Sequence, residues 1–281
     1  MPPKYEIIQC YRVNVHPAIL HAKLRDHSKE FLTKFIMGFF ILYLAQEIIP
    51  EMIGLVLPTS IADVIAHYDQ GIDPLLLQRM PRMAVAGYIY AMLFNGVFNL
   101  GESLYCLTAI RSREVDYRAL FEGFNYYLKA LGLFLIKSAI IAAWSMLFLI
   151  PGIIAAINYS QAFYILADNP DKNIIVCLAE SRLRMRGNRR MLIAYIISFL
   201  PYILAGALPA LLVGFFVKID PASLNYTILS IALDAPLFCA LGYVSLGLCV
   251  FYELLITGGF SNFKYAGQDV FREPIDIMQE K

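Results

Sequence analysis

Between Ile150 and Asn188 an apolar run reaches Pro151-Gly152, a second begins at once and stops at Asp168-Asn169-Pro170, and an arginine-rich amphipathic segment then leads into a third. This is the pattern of a membrane hairpin followed by its cytoplasmic link. Proline lacks an N–H and glycine accepts positive φ, so the reversal is expected at Pro151-Gly152. Asp168-Asn169-Pro170 ends one helix, and Asp171 is placed to cap the next.

The rest of the chain agrees. Hydrophobic residues make up 59% and charged residues 16% of the 281, with a mean hydropathy of +0.61. That balance lies outside the range of a soluble domain, so the excess apolar surface must face lipid. Several runs exceed the ~18 to 20 apolar residues needed to cross a ~30 Å hydrocarbon core. The expected fold is all-α and polytopic, with about six transmembrane helices over residues 31–57, 83–107, 127–150, 152–167, 191–217 and 228–257. The fourth covers only ~24 Å by helical rise, so it borrows the polar interface, thins the bilayer or dips in without crossing. Residues 1–30 form a tail with an interfacial helix, 31–257 the membrane domain and 258–281 a second tail. The first apolar run starts late and is too long for the h-region of a cleaved signal, so it is expected to stay as an anchor.

The basic residues orient these spans. With the N-terminus cytoplasmic, one side receives Lys4, Arg12, Lys23, Arg25, Lys29 and Lys34, then Arg111, Arg113 and Arg118. To these the same side adds Lys172, Arg182, Arg184, Arg186, Arg189 and Arg190, and finally Lys264, Arg272 and Lys281. The other side receives Arg79, Arg82 and Lys218. This asymmetry predicts a multi-pass protein of the cell (inner or plasma) membrane with both termini cytoplasmic. A formal net charge of +1 argues against nucleic-acid binding. The five cysteines, Cys10, Cys106, Cys177, Cys239 and Cys249, show no CxxC spacing and read as reduced thiols or packing residues.

A threefold organisation is visible. Amphipathic segments precede spans one, three and five: AILHAKLRDHSKEFLTKF, DYRALFEGFNYYLKAL and NIIVCLAESRLRMRGNRRML. In the second, Leu120, Phe121, Phe124, Tyr127 and Leu128 share a face; in the third, Ile174, Cys177, Leu178, Ser181 and Met185 do. Such segments are expected to lie in the headgroup plane. Ser28, Asn125 and Asn188 recur just before each span and are expected to cap it.

The run IPGIIAAINYSQAFYILADNP, followed by SRLRMRGNRR, resembles the bacterial integral-membrane family called domain of unknown function 975. The matching positions are Ile150 to Ile154, Tyr159-Ser160, Leu166 to Pro170, and Ser181, Met185, Gly187 and Asn188, with FYELL at Phe251 to Leu255 similar to the family's last span. Two departures are a long loop over 58–81 and fewer aromatics at the outer end of span five. The resemblance implies a multi-span membrane protein. It carries no catalytic residue to transfer.

Ionisable residues inside spans are the candidate site, since a charge at the bilayer centre costs ~2.5 to 3.5 kcal/mol even on insertion scales. Glu47 and Lys137 each fall ~15 Å from a predicted span end. Asn95, Asn99 and Glu102 share one face of span two. A Glu47–Lys137 pair bordered by these groups is expected near the midplane, either as interhelical glue or as a polar cavity; Glu51, Asp234 and Glu253 lie nearer the ends. Arg182, Arg186, Arg189 and Arg190 are candidate contacts for anionic lipid. Pro151, Gly152, Asp168, Asn169, Pro170, Gly187 and Asn188 read as structural punctuation. His16, His21 and His27 are not spaced to share a helical face, so no metal site is expected. Glycines at Gly242 to Gly247 and Gly258-Gly259 permit close helix approach. No HExxH, GxSxG or phosphate-loop pattern occurs, so neither catalysis nor a cofactor is expected. The reading is a non-enzymatic membrane protein that scaffolds membrane-protein partners or engages membrane lipids. Alternatives are a small permease or lipid or ion transporter, and a membrane-embedded lipid-modifying enzyme.

Overall fold

The computed structural model describes residues 11–13, 15–56, 85–216 and 224–257. Expectations for residues 1–10, for the tail over 258–281, for the loop over 58–81, and for Arg79, Arg82 and Lys218 lie outside the described residues. Among those described, 86% are helical and none forms a strand. The fold is all-α.

The order is α1 (Pro17–Ser28), α2 (Leu32–Tyr43), a π-helical turn (Leu44–Ile48), α3 (Ile49–Val56), α4 (Val85–Ser112), α5 (Ala119–Glu122), a 3-10 turn (Gly123–Tyr126) and α6 (Tyr127–Leu147). Then follow α7 (Leu149–Asn158), α8 (Ala162–Asp168), α9 (Ile174–Arg184), α10 (Arg189–Ser198), α11 (Leu200–Phe216) and α12 (Leu224–Thr257). Among the described residues three segments are long and apolar enough to cross a membrane, namely Ala119–Leu147, Leu149–Asp168 and Ala232–Thr257. The number rises to five if each of two bent pairs is one span, the bends being 95° between α1 and α2 and 41° between α10 and α11.

The expected second span is the informative exception. α4 is 28 residues long yet too polar to qualify, because Asn95, Asn99 and Glu102 lower its hydropathy. It is the central helix, packed against α2, α3, α5, α6, α8 and α12, so it does not need an apolar surface all round. Its polar side chains are partly satisfied within the helix. Asn99 Nδ2 donates to the Asn95 carbonyl at 2.6 Å, Ser103 to that of Asn99 at 2.8 Å and Thr108 to that of Leu104 at 2.9 Å.

Glycine sets how closely α4 is approached. A Cβ on Gly101 would collide with the Leu120 carbonyl, and one on Gly123 would lie 2.6 Å from the Val97 carbonyl. Backbone therefore meets backbone where α5 and the 3-10 turn cross α4. At the far side Tyr105 stacks on Phe35 at 4.8 Å and donates to its carbonyl at 3.0 Å, fastening α2.

α2 and α12 run antiparallel in a regular register. Phe39 covers Gly242, Tyr43 stacks on Phe238 at 3.7 Å, and Glu47 lies within electrostatic reach of Asp234. Each step advances one turn along one helix and retreats one along the other. The π turn that carries Glu47 precedes Pro50, whose missing N–H leaves the Ala45 carbonyl without its donor. Tyr90 fills that vacancy at 3.0 Å.

Several local expectations are corrected. The α6–α7 reversal occurs at Phe148, which alone is extended (φ −157, ψ 147). Pro151 and Gly152 belong to the first turn of α7, where a missing N–H costs nothing; Gly152 is needed because a Cβ would strike Ser145. Asn173, not Asp171, caps α9 by accepting from the Ile175 N–H at 3.4 Å. Ser28 bonds back to the Arg25 carbonyl at 3.5 Å, and Asn188 makes no cap bond. The second amphipathic segment is one α turn and one 3-10 turn running into α6, with Phe121, Phe124 and Leu128 exposed. In the third, Cys177, Leu178, Ser181 and Met185 are buried against the protein itself. Gly242 and Gly247 meet Phe39 and Phe199 within the chain.

Gly101→Ala is expected to overpack the α4–α5 crossing and cost ~1–3 kcal/mol. A thermal unfolding midpoint unchanged from the parent's would show that the crossing has room to give.

Candidate functional site

Two tiers of polar side chains occupy the helical bundle, and a basic face lies beside them. The outer tier is built on Arg111 in the last turn of α4. Its Nη1 donates to Asp168 Oδ1 at 2.6 Å and its Nε to Glu253 Oε1 at 2.7 Å, tying α4 to the ends of α8 and α12. Tyr252 donates to Asp168 Oδ2 at 3.0 Å and stacks on Tyr164. The Arg184 guanidinium lies 5.9 Å from the Tyr252 ring centre and pairs with Glu180, which also accepts from Lys172 at 2.8 Å. Lys129 donates to the Pro170 carbonyl at 2.5 Å. Glu180 and Glu253 are buried, so both carboxylates depend on these cations.

Three separated segments thus meet: 166–170, 180–188 and 251–255. Asp168, expected only as punctuation, is an anchor of the network. Arg111 was legible only as one of the basic residues expected on one side, because its partners lie 57 and 142 residues away. Cys177 lies beside Glu180, and burial pushes its thiol up to about 11, so it stays protonated at neutral pH.

The inner tier lies a little over two turns deeper. Glu102, nine residues before Arg111, lies beside Ser245, eight residues before Glu253. Lys137, eight residues after Lys129, sits 5.1 Å from the Phe163 ring centre. Helical rise puts all three ~12–13 Å from the charged end. Lys137 and Glu102 are within electrostatic reach, yet no hydrogen bond or ion pair of Lys137 is made among the described residues. The expected Glu47–Lys137 pair is replaced by Glu47 facing Asp234 and Lys137 facing Glu102. Counting each span from its nearer end put Glu47 and Lys137 at similar depth but could not show which helices are neighbours. Asn99 is occupied by its own helix.

On the surface, Arg182, Arg186 and Arg190 are exposed and make no ion pair among the described residues, while Arg189 is half-buried. Ile175 and Val176 are exposed on α9 nearby. The turn between α9 and α10 closes through Gly187 at φ 89, a conformation glycine adopts without strain. Asn188 then clamps the extended N-terminal segment. Its Oδ1 accepts from the Val13 N–H at 2.8 Å, and its Nδ2 donates to the Tyr11 carbonyl at 3.0 Å. His21 on α1 makes a 2.6 Å hydrogen bond with Ser198 and packs edge-on to Phe199, which docks the first amphipathic helix on the fifth apolar segment.

Comparison with protein-family models, with curated proteins and with solved structures finds no match for this chain.

Arg111→Leu is expected to leave Asp168 and Glu253 confronting each other. With Arg111 partly exposed, the cost lies between the ~1 kcal/mol of a surface pair and the ~3–5 kcal/mol of a buried one. Adding Glu253→Leu should recover part of the loss in a double-mutant cycle; additive losses would show that the two side chains do not act as a pair.

Proposed function

We propose that the chain is a six-span protein of the cell membrane, with both termini cytoplasmic, that engages anionic lipid at the cytoplasmic leaflet without catalysing a reaction. The observation that carries this reading is the exposure of Arg182, Arg186 and Arg190 with no acidic partner among the described residues. Their neighbour Arg184 is neutralised by Glu180, so charge is withheld there and presented at the other three. The exposed Ile175 and Val176 supply apolar groups for the headgroup boundary. At ~1 kcal/mol per cation near a negative leaflet, three arginines contribute ~3 kcal/mol, on the order of a hundredfold in affinity. The resemblance to domain of unknown function 975 supports the membrane class and adds no activity.

Replacing Arg182, Arg186 and Arg190 together by Gln is expected to cut co-purified anionic lipid severalfold, measured by lipidomics of the gently solubilised protein. Topology should be unchanged. Equal lipid in parent and variant would sink the reading.

Lys137 favours a second reading, a small permease, because an intramembrane ammonium without a direct anionic partner is costly to keep. In proteoliposomes a pH- or ion-dependent flux should then vanish in Lys137→Met while the protein remains folded. A variant that simply fails to fold would return Lys137 to a packing role.

A further inference from the structure

The fourth apolar segment is broken in its interior, at residues that neither tier nor the arginine face uses. α7 ends at Asn158 and α8 starts at Ala162. In an unbroken helix the Ala162 N–H would donate to the Asn158 carbonyl; here it donates to Tyr159 at 3.3 Å. The freed Asn158 carbonyl accepts the Ser181 hydroxyl from α9 at 2.8 Å. The backbone is thereby repaired, but the side chains are not. Asn158 Oδ1 and Gln161 Oε1 are buried without a hydrogen-bond partner, on residues only 8% and 0% exposed.

The direction of the Gln161 amide is determined by its neighbour. Ser160 donates its hydroxyl hydrogen to the Ile157 carbonyl at 2.8 Å, so its 3.1 Å contact with Gln161 Nε2 is a bond received from that nitrogen. Gln161 Oε1 therefore points elsewhere, with nothing to accept. Buried acceptors in folded proteins are paired with protein, water or ions, and an unpaired one is costly. Asn158 and Gln161 are three residues apart, a spacing that places two residues on one side of a helical turn with Cβ atoms ~5–6 Å from each other. α7 has ten residues and directs the negative end of its dipole to the same point. All three features favour a positive guest, and helix ends at breaks within membrane segments are where monovalent cations are held. The cation at this level, Lys137, lies over Phe163, two residues past Gln161 and so toward the opposite side of α8, with Glu102 to balance it.

We propose that this break binds one monovalent cation through Asn158 Oδ1 and Gln161 Oε1. The site is separate from the arginine face and does not depend on lipid binding.

The test is thermal unfolding of the full chain in nanodiscs of zwitterionic lipid, in NaCl, KCl or choline chloride at equal ionic strength. Na⁺ or K⁺ should raise the midpoint by several degrees over choline, with saturation. Gln161→Leu keeps the volume, removes the oxygen and should abolish that difference. Gln161→Glu should lower the half-saturating cation concentration about tenfold. Equal midpoints of the parent in all three salts, as expected if the break holds only water, would overturn the proposal. So would a Gln161→Leu variant that keeps the shift, or, should that variant not fold, an unchanged half-saturation in Gln161→Glu.

Discussion

The charged end of the bundle depends on one guanidinium. Asp168 and Glu253 lie in the last turns of α8 and α12, where the helix dipole is negative and carboxylates are disfavoured. Arg111 reverses that. Its fork reaches both, and its own place in the last turn of α4 suits a cation. Three helices can end together because the cation of one bridges the carboxylates of the other two. Tyr252 and Arg184 extend the same network to α9, where Glu180 pairs with Arg184 while Arg182, Arg186 and Arg190 stay outside.

The second constraint is that α4 stays central. A helix carrying Asn95, Asn99 and Glu102 is too polar to face lipid unaided, and it is enclosed on several sides. Enclosure demands close approach, which Gly101 and Gly123 allow by admitting backbone to backbone contact. Glu102 then finds Ser245 on α12 and the field of Lys137 on α6. The polarity that makes α4 a poor span by hydropathy is the same polarity that equips the interior.

Much of the helical order was readable along the chain. Apolar period and length predicted the helices that became α2 with its continuation, α6, α11 and α12, because those properties are local. The amphipathic character of residues 174–184 was also legible, though not that its apolar side would be spent on the protein's own core. The turn at Phe148 was misplaced by three residues because proline and glycine serve a helix's first turn as readily as a reversal. Asn188 was visible as a polar residue before a span, but its partners, Tyr11 and Val13, are remote in sequence. Glu47 and Lys137 were expected to pair, but Glu47 lies near Asp234 and Lys137 near Glu102.

By itself the sequence determined the all-α class, the presence of apolar segments long enough to cross a membrane and the concentration of basic residues beside them. Each follows from composition, period and spacing, which are properties of one stretch at a time. Only the tertiary structure decided that Arg111 joins Asp168 to Glu253, that Lys137 looks toward Glu102 and not Glu47, and that Asn158 and Gln161 are left without partners in a broken helix. Those outcomes depend on which helix faces lie against which neighbours. Distances across the bundle depend on packing, which hydropathy along the chain does not encode.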